Sequence, residues 1–447
     1  MVLQAGVLYD IQERAAARTG NGARWMFGSG PDGVFGNADD VALPLVQLAD
    51  ANMAARWNMH GFPSINPGSF ISMPRLADYV KANPAAATAD PVTDVTNTYG
   101  TLKDFREQID AGYAMATVRI QKLTLVPGVR WERTTDDGTG FARVTLPTPA
   151  GLTLQQQADF VRAQYKPVSR HASYSDFYPN FQARYNFSDA LIARTAYTKT
   201  IGRPNFTNLL PGDTINDTAK TISRNNPDLE PFNATNYDLT VEYYFGKNTG
   251  NLTASVFRKN IENYFQNVQY PLPGGASNGY DGQYEGYIVT ENQNITATTR
   301  TEGFELGYQQ ALRFLPGQFK NLLASASYTR VRSTPPPGAR EATGIFPDVY
   351  NLGLTYNSGR LRVDLRYNMR KSWRSSINNT TGEKTVFRDN DRADLALNYR
   401  FSRHYTFYFD WRNFMNEEDL RLVGLNQRVG FHQTAGMSIN TGFRAEF

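Results

Sequence analysis

The chain has 447 residues, 40% of them hydrophobic, and a mean hydropathy of -0.49. No run approaches the roughly 18 apolar residues of a spanning helix, so a bundle of membrane helices is excluded. The formal charge of +4 comes from 46 basic and 42 acidic residues spread along the chain, so no nucleic-acid partner is expected.

Low hydropathy does not exclude a membrane barrel, whose strands alternate apolar and polar residues. The aromatic content of 13%, with 25 Tyr and 27 Phe, suits membrane interfaces. The absence of cysteine excludes thiol chemistry and suits export through an oxidising compartment. A soluble, aromatic-rich β protein for binding or adhesion is the competing class.

Leu3, Ala5, Val7, Tyr9 and Ile11 alternate with polar or small neighbours, which predicts a first strand over 2–12. Residues 13–103 show no sustained alternation and are expected to form a long extracellular loop. Weak alternation over 104–117 leads to a turn near Gln121 and a strand carrying Leu123, Leu125, Val129 and Trp131 on one face. Pro127 lies inside it and removes a ladder donor, which predicts a bulge. A second loop is expected over 135–173.

From Ser173 the pattern sharpens. Hairpins are predicted around Ser188-Asp189, Gly246–Gly250, Leu315-Pro316-Gly317, Asn357-Ser358-Gly359 and Arg403-His404, with long loops near 203–233, 263–295 and Pro335–Pro337. The last strand is expected over Gln433–Phe447, with Met437, Ile439, Phe443 and Phe447 on one face and Arg444 and Glu446 on the other. About fourteen strands result, joined alternately by short turns and long loops. The fold expected is all-β, an antiparallel transmembrane β-barrel with short periplasmic turns and long extracellular loops, because unpaired backbone is not tolerated in lipid.

In such a barrel Arg362, Asp364, Arg366, Arg370, Arg392, Asp394, Arg400, Asp410 and Arg412 face the lumen, as selective lining or as a salt-bridged wall. Trp25, Phe27, Trp57, Phe62, Tyr280, Tyr284, Tyr287 and Trp373 are candidate stacking surfaces for a small-molecule ligand in the loops. The run Gly30–Asp40 offers Asp32, Asn37, Asp39 and Asp40 as oxygen ligands for a structural Ca²⁺ without EF-hand spacing. The four histidines, His60, His171, His404 and His432, have neither metal-ligand spacing nor a nucleophile motif, so no enzyme is expected.

The runs YTKTIGRPNF (Tyr197–Phe206) and NNPDLEPFNATNYDLTVEYY (Asn225–Tyr244), with Gly128–Glu132, Glu302–Glu305 and the terminal Phe447, resemble the C-terminal barrel of TonB-dependent outer-membrane receptors of the Caulobacter/Xanthomonas type. The resemblance covers essentially the whole chain and is strongest over 174–447. It implies a 22-stranded barrel around an N-terminal plug, in the outer membrane of a Gram-negative bacterium. Partners implied are outer-membrane lipid, the barrel-assembly machinery reading Phe443 and Phe447, and TonB where a plug is supplied. The cargo implied is an oligosaccharide or a ferric siderophore. Plug, TonB box and signal peptide are not recognised here, so the expectation is a partial receptor, with a self-contained passive channel as the alternative.

Overall fold

The computed structural model describes residues 1–447 apart from 18–23, 34, 51–70, 144, 145, 147, 211, 217, 218, 247, 248, 338–343, 378–382, 425, 426, 435 and 447. Fourteen strands form one antiparallel sheet in chain order. They are β1 (Val2–Ala16), β2 (Lys103–Ile120), β3 (Leu123–Arg143), β4 (Tyr165–Asn186), β5 (Leu191–Gly202), β6 (Phe232–Phe245) and β7 (Gly250–Glu262). There follow β8 (Thr299–Ala311), β9 (Leu322–Thr334), β10 (Asp348–Asn357), β11 (Leu361–Arg370), β12 (Asn390–Arg400), β13 (Tyr405–Arg412) and β14 (Ser438–Ala445). β1 and β14 are the two edges. Short turns and long connections alternate, so every long connection leaves from the same end of the sheet. The tightest turn joins Ile120 to Leu123 and puts Gln121 in the left-handed region at φ 51°.

Directly opposed residues share a face, so the register sorts the wall into two surfaces. Leu239, Val256, Phe304, Leu354, Leu365 and Leu395 fall on one, and Thr240, Ser255, Glu305, Asp364 and Asp410 on the other. Aromatic rows bound the apolar band. Toward the long connections stand Trp131, Phe177, Tyr197, Tyr237, Tyr328 and Tyr350. Toward the short turns stand Tyr185, Phe187, Tyr243, Phe245, Tyr399 and Phe401. Rings touch along the rows, as in Tyr328 on Tyr350 at 4.5 Å and Tyr399 against Phe401 at 4.7 Å.

Three expectations change. β3 and β4 run on to Arg143 and from Tyr165, so most of the loop expected over 135–173 is strand. Its inward residues, Thr134, Asp136, Gly138 and Gly140, are buried although none is apolar, and the outward Arg133, Thr135 and Asp137 are polar too. Pro127 makes no bulge. The β2–β3 ladder lacks pairs between Met115↔Gly128 and Val118↔Leu125, yet its register is the same on both sides, so the missing donor is absorbed as a local gap. The terminal strand is Ser438–Ala445, and Gln433 belongs to a separate strand, Arg428–Gln433, paired with Asp419–Val423.

The long connections carry structure of their own. Helix α1 (Pro91–Thr101) starts with Asp90 accepting a bond from the Thr93 amide at 3.0 Å and has Pro at its first turn. Helix α2 (Leu154–Ala163) starts with a capping box formed by Thr153 and Gln156. The two pack through Val95, Ala158 and Val161. The strands Asp213–Asn216, Thr221–Arg224, Tyr264–Pro271 and Ile288–Ile295 form a four-stranded sheet above the wall, with Ile222, Leu272, Tyr280 and Val289 as its core. Leu209 and Leu229 pack with Phe105 of β2, tying the 203–231 connection to the wall.

Candidate functional site

The polar surface of β8–β12 encloses a hollow of about 680 Å³. Arg362, Asp364, Arg366, Asn368, Arg392 and Asp394 line it with Asn351 and Ser325. Its charges are mostly engaged. Arg362 donates to Asp364 at 2.7 and 3.1 Å, and Thr355 also donates to Asp364 at 2.7 Å. Arg392 reaches Asp419 at 3.1 Å, and Asp394 accepts the Asn413 amide at 2.7 Å. Arg370 donates to Asn390 at 3.3 Å and lies 5.2 Å over Phe346. Arg400 donates to the Gly359 carbonyl at the short-turn end. Asp410 and Arg412 stand opposite Asn440 and Ser438.

A buried charged group occupies the same surface nearer the loops. Arg203, just after β5, reaches over β4 to Glu132 and to Thr134 Oγ1 at 3.1 Å, and approaches Glu107 at 3.6 Å. Arg170 stands 3.7 Å from Asp136 and donates to the Pro227 carbonyl at 2.6 Å. Arg130 also donates to Glu132 at 2.8 Å, so three carboxylates share three guanidiniums. Asp136 lies beyond the apolar band, and burial, with Glu107 adding to it, pushes its carboxyl up to about 6 against the pull of Arg170 and Arg203. Periodicity did not single out this cluster because its members come from four separate strands and loops.

Above the wall a cavity of about 690 Å³ opens between the end of α1, the strand ends at Phe141, Arg143 and Tyr165, and the small sheet. Asn97, Lys103, Thr214, Ser223, Gln283 and Tyr284 line it. Tyr99 stacks on Tyr165 at 5.0 Å and meets Phe141 edge-on at 5.0 Å, which fixes the aromatic side of the cavity. Arg224, 3.4 Å from Asp213 and 3.2 Å from the Tyr280 hydroxyl, fixes the opposite side, and that hydroxyl in turn donates to Asp213.

The sequence matches the family described as TonB dependent receptor-like, beta-barrel over residues 6–414. The chain belongs to this family of TonB-dependent receptor β-barrels. Its fold is shared with the ferric-catecholate import receptor Fiu of E. coli K12, at 16% identity and TM-score 0.55 over 78% of this chain and 46% of that one. The copper transporter OprC aligns at 14% identity and TM-score 0.52 over 82% and 50%, respectively. A ferric enterobactin receptor of Pseudomonas aeruginosa, PfeA, aligns at 13% identity and TM-score 0.52 over 77% and 55%. The chain therefore spans about half the length of these solved structures. No curated protein matches by sequence.

In this TonB-dependent receptor barrel the candidate stacking residues fall into different settings. Tyr280, Tyr284 and Tyr287 come together edge to face at 5.2–5.3 Å, but Tyr280 is a buried core residue, and Tyr284 is the one lining the cavity. Trp373 is stacked on Phe387 at 4.4 Å with Phe346 at 4.8 Å on it, which makes it packing for its loop sheet rather than an open platform. Trp25 is exposed and Phe27 half-buried on the two-stranded antiparallel pair Arg24–Phe27 and Ala87–Asp90. Phe443 is on β14, exposed toward the apolar side. Trp57, Phe62 and Phe447 lie outside the described residues.

The acidic run of the first long connection is hydrogen-bonded within its own loop. Asp32 accepts from Asn37 at 2.7 Å, Asp40 from the Gly36 amide at 2.7 Å, and Asn37 from the Asp39 amide at 3.3 Å. These oxygens are turned to the loop's own N–H groups, and among the described residues no three acidic or histidine side chains converge as metal ligands.

Proposed function

We propose that this chain supplies the barrel wall and outer loops of an outer-membrane receptor for TonB-dependent uptake of a scarce nutrient. The observation that carries this reading is the two-faced wall, with an apolar band between aromatic rows on one side and a polar, ion-paired hollow on the other. Lipid meets the first surface. Water and a small-molecule ligand meet the second, with the ligand entering through the long connections. The ligand is of the oligosaccharide or ferric-siderophore class, and TonB acts through a plug seated within the wall. The terminal strand with Phe443 is the segment offered to the barrel-assembly machinery. Its role is transport rather than catalysis.

The chain has no cysteine, so single labels report orientation directly. Asp189→Cys sits on a short turn and Ser277→Cys on a long connection, both exposed. In intact cells a membrane-impermeant maleimide is expected to label Ser277→Cys and to reach Asp189→Cys only after the outer membrane is permeabilised. The opposite pattern overturns the orientation. Uptake unchanged in cells lacking TonB would replace the receptor with a passive channel.

A further inference from the structure

We propose that the cavity above the wall binds a neutral, polyhydroxylated ligand, a short oligosaccharide, through Asn97, Gln283, Thr214 and Ser223 beside the Tyr284 ring. This rests on the reading of the long connections as the outer, ligand-receiving side. The volume of about 690 Å³ lies within the range of ligand sites, about 300–1,000 Å³.

The lining decides the ligand's chemistry. Among the described residues, Asn97, Gln283, Thr214 and Ser223 line the cavity without a side-chain hydrogen bond to the protein, so their donors and acceptors are free for a ligand. Asn and Gln amides present a donor and an acceptor side by side, which matches neighbouring hydroxyls on a ring. Thr214 and Ser223 are directly opposed across their hairpin and present two hydroxyls together. Tyr284 takes a left-handed backbone conformation at φ 60°, uncommon for a bulky residue, with its ring packed edge-on against Tyr280 and Tyr287.

The charged groups of the lining are few beside its uncharged hydrogen-bonding groups. Of the charged lining residues described, Arg143 donates to Gln164 at 2.9 Å and Asp213 is held by Arg224 and Tyr280. Lys103 and Arg143 are therefore the uncompensated cations of the lining, and ferric enterobactin is the competing ligand that the test has to exclude.

The test is binding by the full chain purified in detergent, without cells or TonB, against an array of neutral oligosaccharides and against ferric enterobactin. At least one neutral oligosaccharide is expected to bind. Asn97→Ala and Gln283→Ala are each expected to weaken it by about 5- to 10-fold, the effect of one lost hydrogen bond. Lys320→Ala, near the short turns, leaves binding unchanged. Thermal unfolding of the two cavity variants should match the parent, since neither side chain is bonded within the protein. The proposal is overturned if no neutral oligosaccharide binds, if binding ignores both substitutions, or if only ferric enterobactin is weakened by them. Failure here leaves the labelling result standing, and an inverted labelling pattern is read independently of binding.

Discussion

Leu210 fills the space that Gly138 leaves by having no side chain: a Cβ at 138 would stand 2.6 Å from Leu210 Cδ2 and 3.2 Å from Phe105. Leu210 is wholly buried, so it has no solvent-facing rotamer to retreat to. Gly138→Ala should therefore displace the 203–231 connection from the wall, at about 1–3 kcal/mol for an overpacked contact. The check is urea unfolding of the purified chain together with faster proteolysis within 203–231. Unchanged cleavage would mean that the loop is held elsewhere.

Arg203 is the second tie between that connection and the wall. Removing it takes away one of the two guanidiniums on the buried Glu132 and leaves Arg130, so the cost is that of a lost charge-assisted hydrogen bond, about 1.5–3 kcal/mol. Arg203→Ala should lower the unfolding midpoint. Arg203→Lys should restore little of it, because one ammonium cannot serve Glu132 and Thr134 as the planar fork does. Full rescue by lysine would reduce the contact to simple charge.

The two surfaces of β11 predict opposite tolerance to charge. Leu365 faces Leu354 and Leu395 on the apolar band, whereas Asn368 donates to Asn351 on the polar side. Leu365→Arg should cost about 2–4 kcal/mol in refolding into lipid bilayers, and Asn368→Arg less than about 1 kcal/mol. Equal tolerance would reverse the lipid-facing assignment.

Asp136 gives a pH signature. Its carboxyl, raised to about 6, holds a proton in the folded chain that the unfolded chain has already released. This group's contribution to stability therefore falls as pH rises from its ordinary value toward about 6, and above that window the charge is a standing cost. Asp136→Asn should be more stable than the parent at pH 7.5, with the difference gone by about pH 4. Thermal melts across that range decide it, and a difference that grows on acidification would contradict the burial argument.

The wall was legible wherever one of its surfaces is apolar. Leu239, Leu354 and Leu365 alternate with polar neighbours, and the Asn357–Gly359 turn is written in its residue types. The outer halves of β3 and β4 were not legible, since over 133–140 both surfaces of β3 are polar or glycine and the buried side there is covered by Leu210, distant in sequence. That Arg362, Asp364, Arg366 and Asp394 share the polar face was readable from strand period. The Arg203 cluster and the cavity were not, because their residues meet only after four connections have folded onto the wall. Arg203 stood out only as part of the GRPNF run.

The spacing of the two aromatic rows also fixes how thick a membrane the wall can match. From Tyr237 to Phe245 β6 rises about 26 Å at about 3.3 Å per residue. A strand tilt of about 40° leaves about 20 Å along the membrane normal. That is shorter than the hydrocarbon core of an average bilayer, about 30 Å, and suits the thinner bacterial outer membrane. Reconstitution should accordingly succeed in short-chain lipids, whereas longer acyl chains would have to compress around the wall or leave its rings below the headgroups.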